Sequence, residues 1–136
     1  MKRDRPNKMR IWSGGCFGNN YELTFDGSNL IYSARIDDVT TEDLISATRE
    51  DWEAFRSEID AIGIWNWHAH YDNSDILDGN QWEVRIKWGS RSCKIYGSNN
   101  YPNEDGTPSQ TDGRTDTFSR FLHAVMRLAG GRAFDR

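Results

Sequence analysis

His68 and His70 stand two positions apart, the spacing that places two side chains on one face of a strand, where both imidazoles could bind one metal ion. A third ligand would have to come from Asp72, Asp75 or Asp78, and no zinc motif has this order, so ordinary surface histidines are the simpler account. His68, His70 and Asp72 stay as weak metal candidates, and no metal is expected. The acidic run from Asp72 to Asn80 invites a calcium reading, with Glu83 twelfth if Asp72 is first. Ile76 and Leu77 then fall where a calcium loop needs a ligand and its turn glycine, and the reading fails. Asp78-Gly79 reads instead as a turn ahead of a strand. Nucleophilic catalysis is no better served. Cys93 is expected to face the core, and Cys16 lies in a glycine-rich stretch with no histidine assigned nearby. Gly14-Gly15-x-x-Gly18 lacks the Lys and Ser/Thr of a phosphate-binding loop. No catalytic residue and no cofactor are expected.

Composition narrows the function classes further. The 136 residues suit one domain, read as 9–136 behind a flexible N-terminal tail at 1–8. Apolar residues make up only 36 %, but six Trp, five Tyr and six Phe concentrate large buried areas in few positions, so a packed core is attainable. The net charge of −4 gives no basic stripe for phosphates, the one basic cluster being the N-terminal run Met1 to Arg10. Nucleic acid is therefore not an expected partner. No apolar segment follows that run, so no signal peptide or membrane anchor is expected, and the expected location is cytoplasmic. Cys16 and Cys93 show no Cys-x-x-Cys pattern and are read as reduced thiols.

The elements that would position these residues are mostly legible. Arg10 to Ser13 can start a strand. Tyr21, Leu23 and Phe25 alternate with polar residues, Asp26-Gly27-Ser28-Asn29 supplies a turn, and Leu30, Tyr32, Ala34 and Ile36 alternate on the return. That spacing pairs Phe25 with Leu30 and Leu23 with Tyr32. The stretch from Asp37 to Ala47 is open between a short strand and a helical turn. Thr48-Arg49-Glu50-Asp51 resembles a capping box and predicts a helix to Ile62, its Trp52, Phe55, Ile59 and Ile62 on one face and Gly63 ending it.

Gly89-Ser90 suits a two-residue type II′ turn, and counting from it pairs Ile86 with Cys93 and Val84 with Ile95 on one side, Glu83 with Tyr96 and Arg85 with Lys94 on the other, and Trp82 with Gly97. Ser98 to Thr115 reads as a loop, and a last helix over Thr117 to Ala129 has Asp116 as its expected N-cap. The expected fold is α+β: an antiparallel sheet of about five to six strands, including two hairpins, with two amphipathic helices packed on one face.

The segments Gly63-Ile64-Trp65-Asn66-Trp67, Tyr71, Asp78-Gly79-Asn80-Gln81-Trp82, Tyr96-Gly97-Ser98-Asn99-Asn100-Tyr101-Pro102 and Phe118 to Gly131 carry a resemblance. They look like a family of small uncharacterised bacterial proteins, over about Arg49 to Phe134. The resemblance implies a bacterial or phage origin and a single compact domain, and it brings no activity. Asp78-Gly79 and Ser98-Asn99 should converge at the open end of the second hairpin, beside aromatics read as exposed. Trp65, Trp67, Tyr71, Asp78, Tyr96, Asn99 and Tyr101 are thus the expected binding surface. The leading expectation is a non-catalytic protein-binding module, of the kind an inhibitor, immunity or counter-defence protein uses. Its alternatives are a small metal-dependent hydrolase using His68, His70 and nearby Asp, and a homo-oligomeric structural protein without ligand.

Overall fold

Alternation decides the first hairpin. In strands β1 (Lys8–Gly14), β2 (Asn20–Phe25) and β3 (Leu30–Ile36) the alternate residues Met9 and Ile11, Tyr21, Leu23 and Phe25, and Leu30, Tyr32 and Ala34 are apolar and buried, so the three share one covered face, while Ile36 at the end of β3 is exposed rather than in the core. Phe25 pairs with Leu30 and Leu23 with Tyr32, as the turn spacing predicts. The Asp26 carboxylate accepts the backbone N–H groups of Ser28 and Asn29, both at 2.8 Å, and holds that turn. In the computed structural model, which describes residues 4–15, 18–73, 79–111 and 113–134, the chain then continues into a strand that its sequence leaves ambiguous. Asp37 and Asp38 adopt φ of 51° and 64°, a two-residue turn of type I′ sense, and β4 (Val39–Ile45) returns beside β3 with Ile36 opposite Val39.

Helix α1 (Arg49–Ala61) starts at the expected capping box: the Asp51 N–H donates to Thr48 Oγ1 at 3.1 Å, and the Thr48 N–H donates to Asp51 Oδ2 at 2.9 Å. It buries Trp52, Phe55 and Ile59, and a 3-10 turn at Ile64–Asn66 follows left-handed Gly63. From there the chain crosses to the far edge of the sheet. The short strand β5 (His70–Asp72) pairs in parallel with β7 (Arg91–Ser98), which itself pairs antiparallel with β6 (Gln81–Trp88) in the predicted register. The sheet order is β4-β3-β2-β1-β6-β7-β5. The fold is therefore α+β, but the sheet has seven strands rather than five or six and is mixed rather than antiparallel. β4 and β5 make the difference.

Helix α2 (Asp116–Leu128) begins one residue earlier than expected, because Thr115, not Asp116, is its N-cap and accepts the Phe118 N–H at 3.1 Å. Both helices lie on one face of the sheet, in a continuous core with Met9, Ile11, Leu23, Phe25, Val84, Ile86 and Ile95. Trp52 of α1 packs against Phe25 and Trp88, with ring centroids 5.0 and 5.9 Å apart. At the other end Phe118 of α2 packs on Trp82 at 4.7 Å. Aromatic area thus replaces missing aliphatics, each ring burying 150–250 Å² as a rough guide.

Lys8 is already in β1, inside the span read as tail. Asn7 next to it donates its N–H to Lys87 O and accepts the Gly89 N–H. No helix among the described residues is long and apolar enough to cross a membrane.

Candidate functional site

Hairpin geometry brings the expected site residues to one end of the sheet, but mostly into its interior. Tyr71 is 0 % exposed, Tyr101 1 %, Asn99 3 % and Trp67 8 %. The expectation of an exposed aromatic patch is corrected at these positions, and the loop after β7 is the cause: it folds back over the end of the sheet. Asn100 drives that closure. Its Nδ2 donates to Asp72 O at 3.1 Å and to Gln110 Oε1 at 3.3 Å, while its Oδ1 accepts the Gln110 N–H at 2.8 Å. The buried amide thereby ties both ends of residues 100–110 to the edge strand β5.

The polar tips of Tyr71, Trp67 and Trp82 are also taken. Tyr71 Oη donates to Gly106 O at 2.5 Å and accepts the His68 N–H at 3.0 Å, and burial raises the phenol above its ordinary range. Trp67 Nε1 donates to Ile62 O, and Trp82 Nε1 to Asn100 O. Tyr101 packs at a tilt on Phe118 with centroids 4.8 Å apart and stacks on Trp82 at 6.3 Å. Asn99 adopts a left-handed φ of 52° and its Oδ1 accepts the Asn80 N–H, so the two loops do meet beside Gly79. Asp78 lies outside the described residues, as do Cys16 and Asp75. Trp65 is half-buried, donates to Asp60 Oδ1 and lies under the Arg56 guanidinium. Among the described residues of the expected set Tyr96 alone is well exposed, at 40 %, and it points to the opposite side of the sheet from the helices.

His68 stacks on Tyr71, and His70 sits on the β5 edge opposite Tyr96. Among the described residues no three His, Cys, Asp or Glu side chains converge as a metal-ligand set. Cys93 faces the helix side, as the register predicts, and burial pushes its thiol up to about 12.

The uncovered face of the sheet carries an arrangement that reading the chain linearly did not find. Strand pairing sets Lys8 beside Lys87, Arg10 beside Arg85, and Arg85 beside Lys94, five cations on three adjacent strands. Arg10 is matched by Glu22 and Glu83, both at 2.8 Å, and Arg85 by Glu83. Lys8, Lys87 and Lys94 are exposed and have no carboxylate among the described residues within ion-pair reach. Thr24 and Ser92 join the cations around a shallow depression of about 660 Å³. Asp26 borders it, its carboxylate occupied by the turn it holds and kept below the usual carboxylate range by the Asn29 and Ser28 N–H groups. One row along the strands, Trp12 lies between Glu22 and Glu83, and Tyr96 follows Glu83. The hairpin register read from the sequence already sets Arg85 opposite Lys94, and the β1–β6 pairing adds Lys8 and Arg10 beside Lys87 and Arg85. No protein-family model matches the chain, and a search of curated proteins finds no match.

Proposed function

We propose that this protein is a non-catalytic protein-binding module whose recognition surface is the uncovered face of the sheet. The observation that carries the reading is the opposition of Lys8 to Lys87 and of Arg85 to Lys94 on neighbouring strands. Like charges directly opposed across a sheet oppose folding, so a face that holds them is better suited to a bound partner than to bare solvent. The aromatic side chains of Trp12 and Tyr96 border the cations and supply apolar contact area of the kind that anchors interfaces. An inhibitor, immunity or counter-defence role fits a small module of this type.

A photo-crosslinking residue placed at position 96, on the uncovered face, tests the reading against one placed at position 127, on the exposed side of α2. In host cell extract, position 96 should give one defined adduct, whose protein then binds the purified module, and position 127 should not. Equal adducts from both positions, or none from position 96, would overturn it.

A further inference from the structure

We infer that the occupant of the Lys8, Lys87 and Lys94 surface is an extended acidic segment of a protein partner, laid along β1 and β6; this rests on the recognition face proposed above. The argument starts from spacing. Side chains on one face of a strand repeat every second residue, about 7 Å apart, and neighbouring strands stand about 5 Å apart. Lys8 and Arg10 on β1, Lys87 and Arg85 on β6, and Lys94 on β7 therefore form a grid with the period of an extended chain. A segment with carboxylates at alternate positions has that same repeat along its length. Successive carboxylates would meet Lys87, with Lys8 beside it in the same row, and, one row on, Lys94 beside Arg85, ammonium groups that no acid of the described residues neutralises.

The borders of the grid decide the chemistry of the anion. The next row along the strands holds Glu22 and Glu83, and β4 adds Glu42 opposite Ser33 on the same face. A nucleic-acid backbone running beyond the grid would meet these carboxylates on a chain of net charge −4. A short acidic stretch ends where the cations end. Thr24 and Ser92 at the rim add hydroxyl donors that suit carboxylate oxygens.

The test is fluorescence anisotropy at low salt with a labelled peptide of alternating glutamate and threonine, compared with its glutamine-threonine counterpart and with oligothymidylate. The glutamate peptide should bind and the glutamine peptide should not. The double variant Lys87→Gln/Lys94→Gln should weaken binding about tenfold, while its melting temperature stays level or rises because like-charge opposition is removed. Equal binding of the two peptides, or unchanged binding by the double variant, would overturn the inference. Tighter binding of oligothymidylate would replace the acidic segment with a nucleic acid. A dimer in light scattering that the double variant abolishes would assign the face to a second copy. If the crosslink from position 96 finds a partner and the glutamate peptide does not bind, the recognition face stands and its acidic occupant falls.

Discussion

The Trp82 indole lies across the backbone of its cross-strand neighbour Gly97, so closely that a Cβ at Gly97 would stand 2.1 Å from Trp82 Cε2 and Nε1. The ring is in turn held by its N–H bond to Asn100 O and by Phe118 of α2 at 4.7 Å, so it cannot swing aside. Gly97→Ala should therefore destabilise the fold by about 3 kcal/mol and lower the melting temperature by roughly 10 °C. Denaturant unfolding measures this directly. A Gly97→Ala protein as stable as the parent would mean that the indole has another place to go.

Trp67 and Tyr101 are core residues, and truncating them tests that placement. Trp67 packs on Phe121 at 5.7 Å and on Trp82 at 6.2 Å, while Tyr101 packs on Phe118. Each change to Ala should cost about 3–5 kcal/mol through lost burial and the cavity left behind. Tyr96→Ala, by contrast, should change stability by less than about 0.5 kcal/mol, since its ring is exposed. Urea midpoints for the three variants separate the two classes.

Where a turn residue fixed the count, the sequence carried the fold. Gly89-Ser90 set the whole β6–β7 register, and Asp26 to Asn29 set that of β2 and β3. The capping box placed the start of α1. β5 was hidden because three residues form no visible alternation, and its parallel pairing depends on where α1 delivers the chain. Trp67, Tyr71 and Tyr101 looked exposed because polar loops flank them. That Asn100 folds one such loop back over the rings is a tertiary outcome with no local pattern. The lysine grid was illegible for a related reason: Lys8 reads as part of a basic terminus until β1 is known to lie beside β6.

The Cys93 thiol offers a pH test of the buried face. Its pKa is pushed up from the ordinary thiol value of 9.0 to about 12, because burial disfavours the thiolate. Below pH 9 the folded protein then holds about a thousandfold less thiolate than an open thiol. In a Cys16→Ser background, alkylation by iodoacetamide at pH 8 should be slow and should accelerate steeply on unfolding in urea. The sign for stability follows. With the folded pKa raised, the contribution is fully present below pH 9 and is lost as pH rises through about 12. Rapid alkylation of the native protein at pH 8 would place Cys93 outside the core.

The turn between β3 and β4 can be tested by improving it. Asp37 and Asp38 both sit at positive φ, a conformation that aspartate tolerates and glycine adopts freely. Their adjacent charges also repel, and the Arg35–Asp38 contact at 3.1 Å is an exposed pair worth little. Replacing Asp37-Asp38 with Asn-Gly, the favoured type I′ sequence, should therefore raise stability by about 1 kcal/mol and the melting temperature by roughly 4 °C. Asp37→Pro should do the reverse, because the proline ring cannot reach a φ of 51°. Thermal unfolding of the two variants in opposite directions would fix both the turn type and the β3–β4 pairing that rests on it; a stabilising Asp37→Pro would place this segment in a different turn and cast β4 loose from the edge of the sheet.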